Sequence, residues 1–168
     1  IWEYPCGNGC NAYEVHGDYI YLGVMNEVVC ISKSGKLISK NDMGKEISDI
    51  SINNNNNLAV GIAYYMGSGS GYKQEAYRIP GMDFSKKILV YSTDNKSSYV
   101  VGCAVAISDD DKIYINNESN LLIYGQDNVR ITYESMPTTA YSKIIIHDDY
   151  VYGVSIFLSK HALDGKRV

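Results

Sequence analysis

The chain has 168 residues, enough for one ordinary domain. Its 15 basic and 19 acidic side chains leave a net charge of −4, which argues against a nucleic-acid partner, since a grip on phosphates needs a basic surface. Hydrophobic residues make up 45% of it, so a core can form, yet no apolar run approaches the roughly 20 residues of a membrane-spanning helix.

The chain starts at Ile1 without an initiator Met and reads as a processed product or an excerpt from a longer chain. Ile1-Trp-Glu-Tyr4 is a strand-like run. Cys6 and Cys10 follow in Pro-Cys-Gly-Asn-Gly-Cys, a Gly-rich loop that a disulfide could close into a small ring; two inert thiols fit it as well. Cys30 and Cys103 lie inside apolar runs and read as buried thiols. No later segment sustains a 3.6-residue apolar period with a capped start and a Gly stop. Short strand-like runs follow one another, separated by Gly, Asn, Asp and Ser. The 16 Tyr against 2 Phe and 1 Trp fit this reading, because tyrosine suits strands.

Tight turns give the repeat. Gly17-Asp18 precedes Tyr19-Ile-Tyr-Leu22, and Asn56-Asn57 precedes Leu58-Ala-Val-Gly61. Asp110-Asp111 precedes Lys112-Ile-Tyr-Ile115, and Asp148-Asp149 precedes Tyr150-Val-Tyr-Gly153. Each joins two apolar runs as a hairpin. The spacing is about 40 residues for the first and third intervals and about 55 for the second, as in propeller blades. The expected blades are 11–39, 47–91, 101–133 and 142–168, the last completed by residues 1–4. The fold class is therefore an all-β propeller of about four blades, each a four-stranded antiparallel sheet. The last blade lacks most of its outer strand, and Ile1, Trp2 and Tyr4 are the candidates to complete it beside Val168. That closure works within one chain or by strand exchange between copies, as a dimer or an open filament.

Ala162-Leu-Asp-Gly-Lys-Arg-Val168, read onward into Ile1-Trp2, resembles the repeat of quinoprotein-type (PQQ-like) β-propellers. Cys30-Ile-Ser-Lys-Ser-Gly-Lys-Leu37 is a second, looser copy. The resemblance implies a propeller with aromatic-closed outer strands. The adjacent cysteine pair and catalytic Asp setting of the quinone-using dehydrogenases are not recognisable, so no cofactor is expected.

Catalytic patterns are sparse. No Ser-His-Asp arrangement, Walker loop or dinucleotide fingerprint is present. His16 and His147 occupy the same place in units one and four, each followed by acid, and are weak metal candidates; turn residues are the simpler reading. Asp109-Asp110-Asp111 lacks the alternation of a calcium loop and reads as a solvated turn. Asn53–Asn57 reads as a polar turn, and Gly67-Ser-Gly-Ser-Gly71 as a flexible loop. The better lead is topographic: the loops entering the inner strands and those between second and third strands share one face of a propeller. On that face fall Tyr64, Tyr65, Tyr72 and Lys73, in a loop expected over 64–74, together with Tyr99 and Tyr141. Tyrosine among Gly and Ser is a composition suited to adaptable binding.

The expected function is thus a non-enzymatic binding or scaffold module for a protein or glycan partner. The alternatives are a structural subunit built by N-terminal strand exchange, with homo-oligomers, or a hydrolase or quinone-dependent propeller enzyme. The triplets Asn95-Lys-Ser and Asn117-Glu-Ser fit an extracellular or cell-envelope setting, with the cytoplasm as the alternative.

Overall fold

The computed structural model describes residues 1–7, 9–67, 71–95, 102–117, 120–135, 143–154, 158–164 and 166. Tyr99, Tyr141 and Val168 lie outside the described residues, as does most of each glycosylation triplet after its Asn. Among the described residues the structure is all-β, in four antiparallel sheets. The first comprises β1 (Cys10–His16), β2 (Tyr19–Val24), β3 (Glu27–Ser32) and β4 (Leu37–Asp42). The second holds β5 (Ile47–Ile52), β6 (Leu58–Tyr65), β7 (Tyr72–Ile79) and β8 (Ile88–Asn95). The third holds β9 (Val105–Ile107), β10 (Ile113–Asn117), β11 (Asn120–Tyr124) and β12 (Arg130–Ser135). The fourth has three strands, β13 (Lys143–His147), β14 (Tyr150–Val154) and β15 (Leu158–Ala162). Strands pair in chain order within every sheet, so each sheet is a meander whose first strand lies innermost. Two short 3₁₀ turns, Pro80–Met82 and Phe84–Lys86, connect β7 to β8.

One turn geometry recurs, and its residues explain it. Ser32 N donates to Lys36 O at 2.9 Å while Gly35 N donates to Ser32 O at 2.8 Å. The same two bonds close Asn53–Asn57, Ser108–Lys112 and Gly125–Val129. The fourth position is left-handed each time: Gly35 (φ 88°), Asn56 (59°), Asp111 (59°) and Asn128 (61°). Gly, Asn and Asp are the residues that tolerate this backbone. The first position often caps the turn, as when Asn53 Oδ1 accepts from the backbone N–H of both Asn55 and Asn57. Ser108 Oγ likewise accepts from Lys112 N. After β15 the pattern begins again, with Ala162 N donating to Lys166 O at 2.8 Å.

Three hydrophobic clusters make three junctions between consecutive sheets. Ala12, Tyr21, Val28 and Cys30 of the first sheet meet Ile50, Leu58, Val60 and Ile62 of the second. Ala59 and Ala76 of the second meet Val105, Ile107, Ile113 and Ile115 of the third. Ala104 and Ala106 of the third meet Ile144 and Val151 of the fourth. Because side chains alternate along a strand, each sheet has two chemically different faces. At the second junction the second sheet presents the small residues Ala59, Gly61 and Ala76, and the third presents the large branched Val105, Ile107, Ile113 and Ile115. Small against large lets the backbones approach closely: a Cβ on Gly61 would lie 1.9 Å from Cys103 O, and one on Gly23 would lie 2.7 Å from Ile47 Cγ2.

The N-terminal run differs from its sequence expectation. Residues 1–4 form no strand. Instead Trp2 lays its ring over Gly35, where any Cβ would come within 2.6 Å of the indole, and its Nε1–H donates to Lys33 O at 2.9 Å. Lys40 on β4 lies near the Tyr4 side chain. An aromatic ring with only 1 Trp in the chain to supply it, and a glycine to receive it, are enough to fix the segment on the first sheet.

Candidate functional site

The loop expected over 64–74 is shorter than the sequence suggested. Strands β6 and β7 stay paired out to Tyr64↔Lys73 and Tyr65↔Tyr72, and Met66 N donates to Gly71 O at 3.0 Å. Tyrosines at both strand ends favour continued pairing over a loop, since cross-strand aromatic pairs stabilise a ladder. Alternation then separates the four residues. Tyr64 turns toward the first junction, with Lys45 Nζ 4.8 Å from its ring centroid. Lys73, on the same side, approaches Glu75 at 3.6 Å and Asp94 at 3.9 Å. Tyr65 and Tyr72 pack on each other on the opposite side, with centroids 5.1 Å apart, and Tyr65 remains 56% exposed.

A second feature lies at the axis. A cavity of about 520 Å³ is lined by Asn11, Ala12, Tyr13, Glu14 and Val15 of β1 and its approach, Ser48 and Asp49 of β5, and Lys143 and Ile145 of β13. It lies near the end of the sheets where the chain enters its inner strands. The tyrosine hairpin projects from that same end, since Ile47 at the start of β5 pairs with Ile62 near the end of β6.

The two carboxylates at the cavity are in different states. Asp49 is 3% exposed and accepts from Ile50 N at 2.9 Å, Val105 N at 3.0 Å and Lys143 Nζ at 2.6 Å. Lys143 also donates to Ile50 O at 3.1 Å, so one ammonium from β13 ties the second sheet to the fourth. Burial pushes the Asp49 carboxyl above its ordinary range, while Lys143 and the two backbone N–H groups oppose that rise. Glu14 is half-buried and, among the described residues, its carboxylate receives no hydrogen bond. Burial raises its affinity for a proton, Lys143 opposes this, Asp49 adds to it, and His16 opposes it. Sequence reasoning missed Glu14, Asp49 and Lys143. The available signal was an acid within Ile47-Ser-Asp-Ile-Ser-Ile52 and a lysine heading Lys143-Ile-Ile-Ile146, polar groups in otherwise apolar runs.

The remaining candidates separate. Half-buried His16 has its Nε2 3.1 Å from Asn56 Oδ1, and exposed His147 sits beside Asp148 at 3.6 Å. Among the described residues no three His, Cys, Asp or Glu side chains are grouped to hold a metal ion. Cys6 and Cys10 are both thiols; burial and the adjacent Cys6 thiol push Cys10 above its ordinary value. Cys103, fully enclosed at the second junction, is pushed up by burial to about 12. The Asp triplet is a turn, but it is not simply solvated. Asn54 donates from its backbone and side chain to Asp109, and Asn53 and Asn57 both donate to Asp111 Oδ1 at 2.6 Å. The Asn run and the Asp run are thus two halves of one seam between the second and third sheets.

No family model matches the chain, and no curated protein matches it in sequence. Its fold does resemble solved structures. The computationally designed Ika8 protein is 10% identical with a TM-score of 0.58, over 94% of this chain and 44% of that one. A protein of unknown function from Bacteroides caccae is 12% identical with a TM-score of 0.63, over 99% of this chain and 62% of that one. BamB from Moraxella catarrhalis, a PQQ-like β-propeller, is 10% identical with a TM-score of 0.53, over 91% and 40%. The fold is propeller-type. The chain spans less than half the length of Ika8 and of BamB, and at these identities the likeness concerns fold alone.

Proposed function

We propose that this chain is a non-enzymatic propeller-type binding or scaffold module whose working face carries the β6–β7 hairpin. The supporting observation is the packed Tyr65–Tyr72 pair at the hairpin's end, exposed at Tyr65 and backed by a paired ladder. Rigid aromatic area that needs little ordering is what a protein or glycan partner grips. The test compares Tyr65→Ala/Tyr72→Ala with the wild type on a glycan array and a displayed-peptide library. Binders recovered by the wild type should be lost by the variant at unchanged thermal stability; identical binders on both proteins would refute the reading.

A second reading, a structural subunit joined through the N-terminal strand, has its own support. The fourth sheet has three strands and a turn at Ala162–Lys166 that starts a fourth. Trp2 sits against the β3–β4 turn of the first sheet, the sheet that would follow the fourth around a ring. A strand of residues 1–4 beside β15 would keep Trp2 near that turn. Removing residues 1–4 should lower the molar mass from light scattering if copies exchange this strand. An unchanged multimeric mass would exclude exchange.

A further inference from the structure

The axial cavity has walls and charges suited to a ligand. Glu14, Asp49 and Lys143 together bring two negative charges and one positive to it. Lys143 is committed to Asp49 and Ile50 O, and Asp49 is satisfied by three donors. The remaining charge is the Glu14 carboxylate, half-buried and without a hydrogen-bond donor among the described residues. The cavity's apolar lining comes from Ile145 on β13 and, from the other face of β1, from Tyr13 and Val15. Ile145, Tyr13 and Val15 are 46%, 70% and 52% exposed.

We propose that this cavity binds a small organic ammonium ion, a primary aliphatic amine whose head meets Glu14 and whose carbon stem lies along the apolar wall toward Ile145. A charge-assisted bond to a partly desolvated carboxylate is among the stronger polar contacts available. The aliphatic wall sheds water against the stem. A bare divalent cation is a poor fit, because calcium wants six to eight oxygens and one unbonded carboxylate is on offer. An anion would face Glu14 and Asp49, and Lys143, the one ammonium among the described lining residues, is already bonded. The titratable groups facing Glu14 are Asp49 on β5, Lys143 on β13 and His16 on its own strand. Burial already makes its charged state costly, and a bound cation relieves that cost.

The probe is n-butylammonium, titrated at low salt and neutral pH and followed by tyrosine fluorescence and NMR shifts, with 1-butanol and butyrate as controls. Saturable binding of the ammonium alone is expected, weakened about tenfold or more in Glu14→Gln, as for a lost hydrogen bond to a charged group. Ile145→Ala should weaken it by a smaller factor. Should Glu14→Gln not fold, acidifying the wild type through the carboxylate range does the same work, since the amine stays charged while Glu14 is protonated. Equal affinity in Glu14→Gln, equal affinity for butanol, insensitivity to that acidification, or no saturation by the wild type would each overturn the proposal. Tyr65→Ala/Tyr72→Ala should bind butylammonium as the wild type does, so this result and that for the hairpin stand apart.

Discussion

The junction between the second and third sheets and the one between the fourth and the first are made from the same kind of strands, yet one is closed and the other open. At the closed junction Ala59, Gly61 and Ala76 face Val105, Ile107, Ile113 and Ile115, and Gly61 has no room for a methyl group. Ser48 adds reciprocal bonds, donating to Cys103 O and accepting from Cys103 N, each at 3.0 Å. At the open junction, Ile145 of the fourth sheet and Tyr13 and Val15 of the first line the axial cavity. These three side chains stay largely exposed, so the apolar surfaces there are not packed together. Close packing of small against large residues on facing strands is what makes a junction core.

Breaking the closed side should cost most. Gly61→Ala puts a methyl carbon into a carbonyl oxygen, and we expect a loss of about 4 kcal/mol, read as a fall in Tm of roughly 10 °C. A fall of only a degree or two would mean that the second and third sheets are not packed this closely.

Neighbouring isoleucines on β13 sharpen the contrast. Ile144 is 2% exposed in the third junction, while Ile145 faces the cavity. Ile144→Ala should destabilise by about 3 kcal/mol, within the range for emptying a core position. Ile145→Ala should cost under about 1 kcal/mol, because its side chain is only partly removed from water. Equal losses in chemical denaturation would show that the axial junction is closed in solution.

The smallest effect has the opposite sign. A Glu14 carboxyl raised by burial binds its proton more tightly in the folded than in the unfolded state. Stability therefore declines as pH rises through the unfolded and then the folded carboxyl value, and at neutral pH the charge is a net cost. Glu14→Gln should raise Tm at neutral pH by about 2 °C, a figure discounted for partial exposure, and flatten that part of the pH profile. A fall in Tm on this substitution would mean that Glu14 has a stabilising partner.

Much of the fold was legible from turns. Gly17, Asn56, Asp111 and Asp148 lie at or beside the marker positions of the repeat, and all four adopt the left-handed backbone that makes such residues informative. The site was less legible. Tyr65 and Tyr72 were visible as tyrosines, but their strands run on where a loop was expected, and pairing rather than composition divides them from Tyr64 and Lys73. The Asn and Asp runs each read as an isolated solvated turn, because a hydrogen bond such as Asn54 to Asp109 joins residues 55 positions apart. No local pattern carries that information.

Alternation of apolar and polar residues, and turns that only Gly, Asn or Asp fill easily, were sufficient by themselves to dictate an all-β chain of four meanders. That part is local, since strand period and turn backbone depend on near neighbours. The axial cavity, the tying of Asp49 by Lys143 and the resting place of Trp2 on Gly35 came only with the tertiary structure. Each depends on which face of one sheet meets which face of another, and on side-chain volumes summed across strands far apart in the chain.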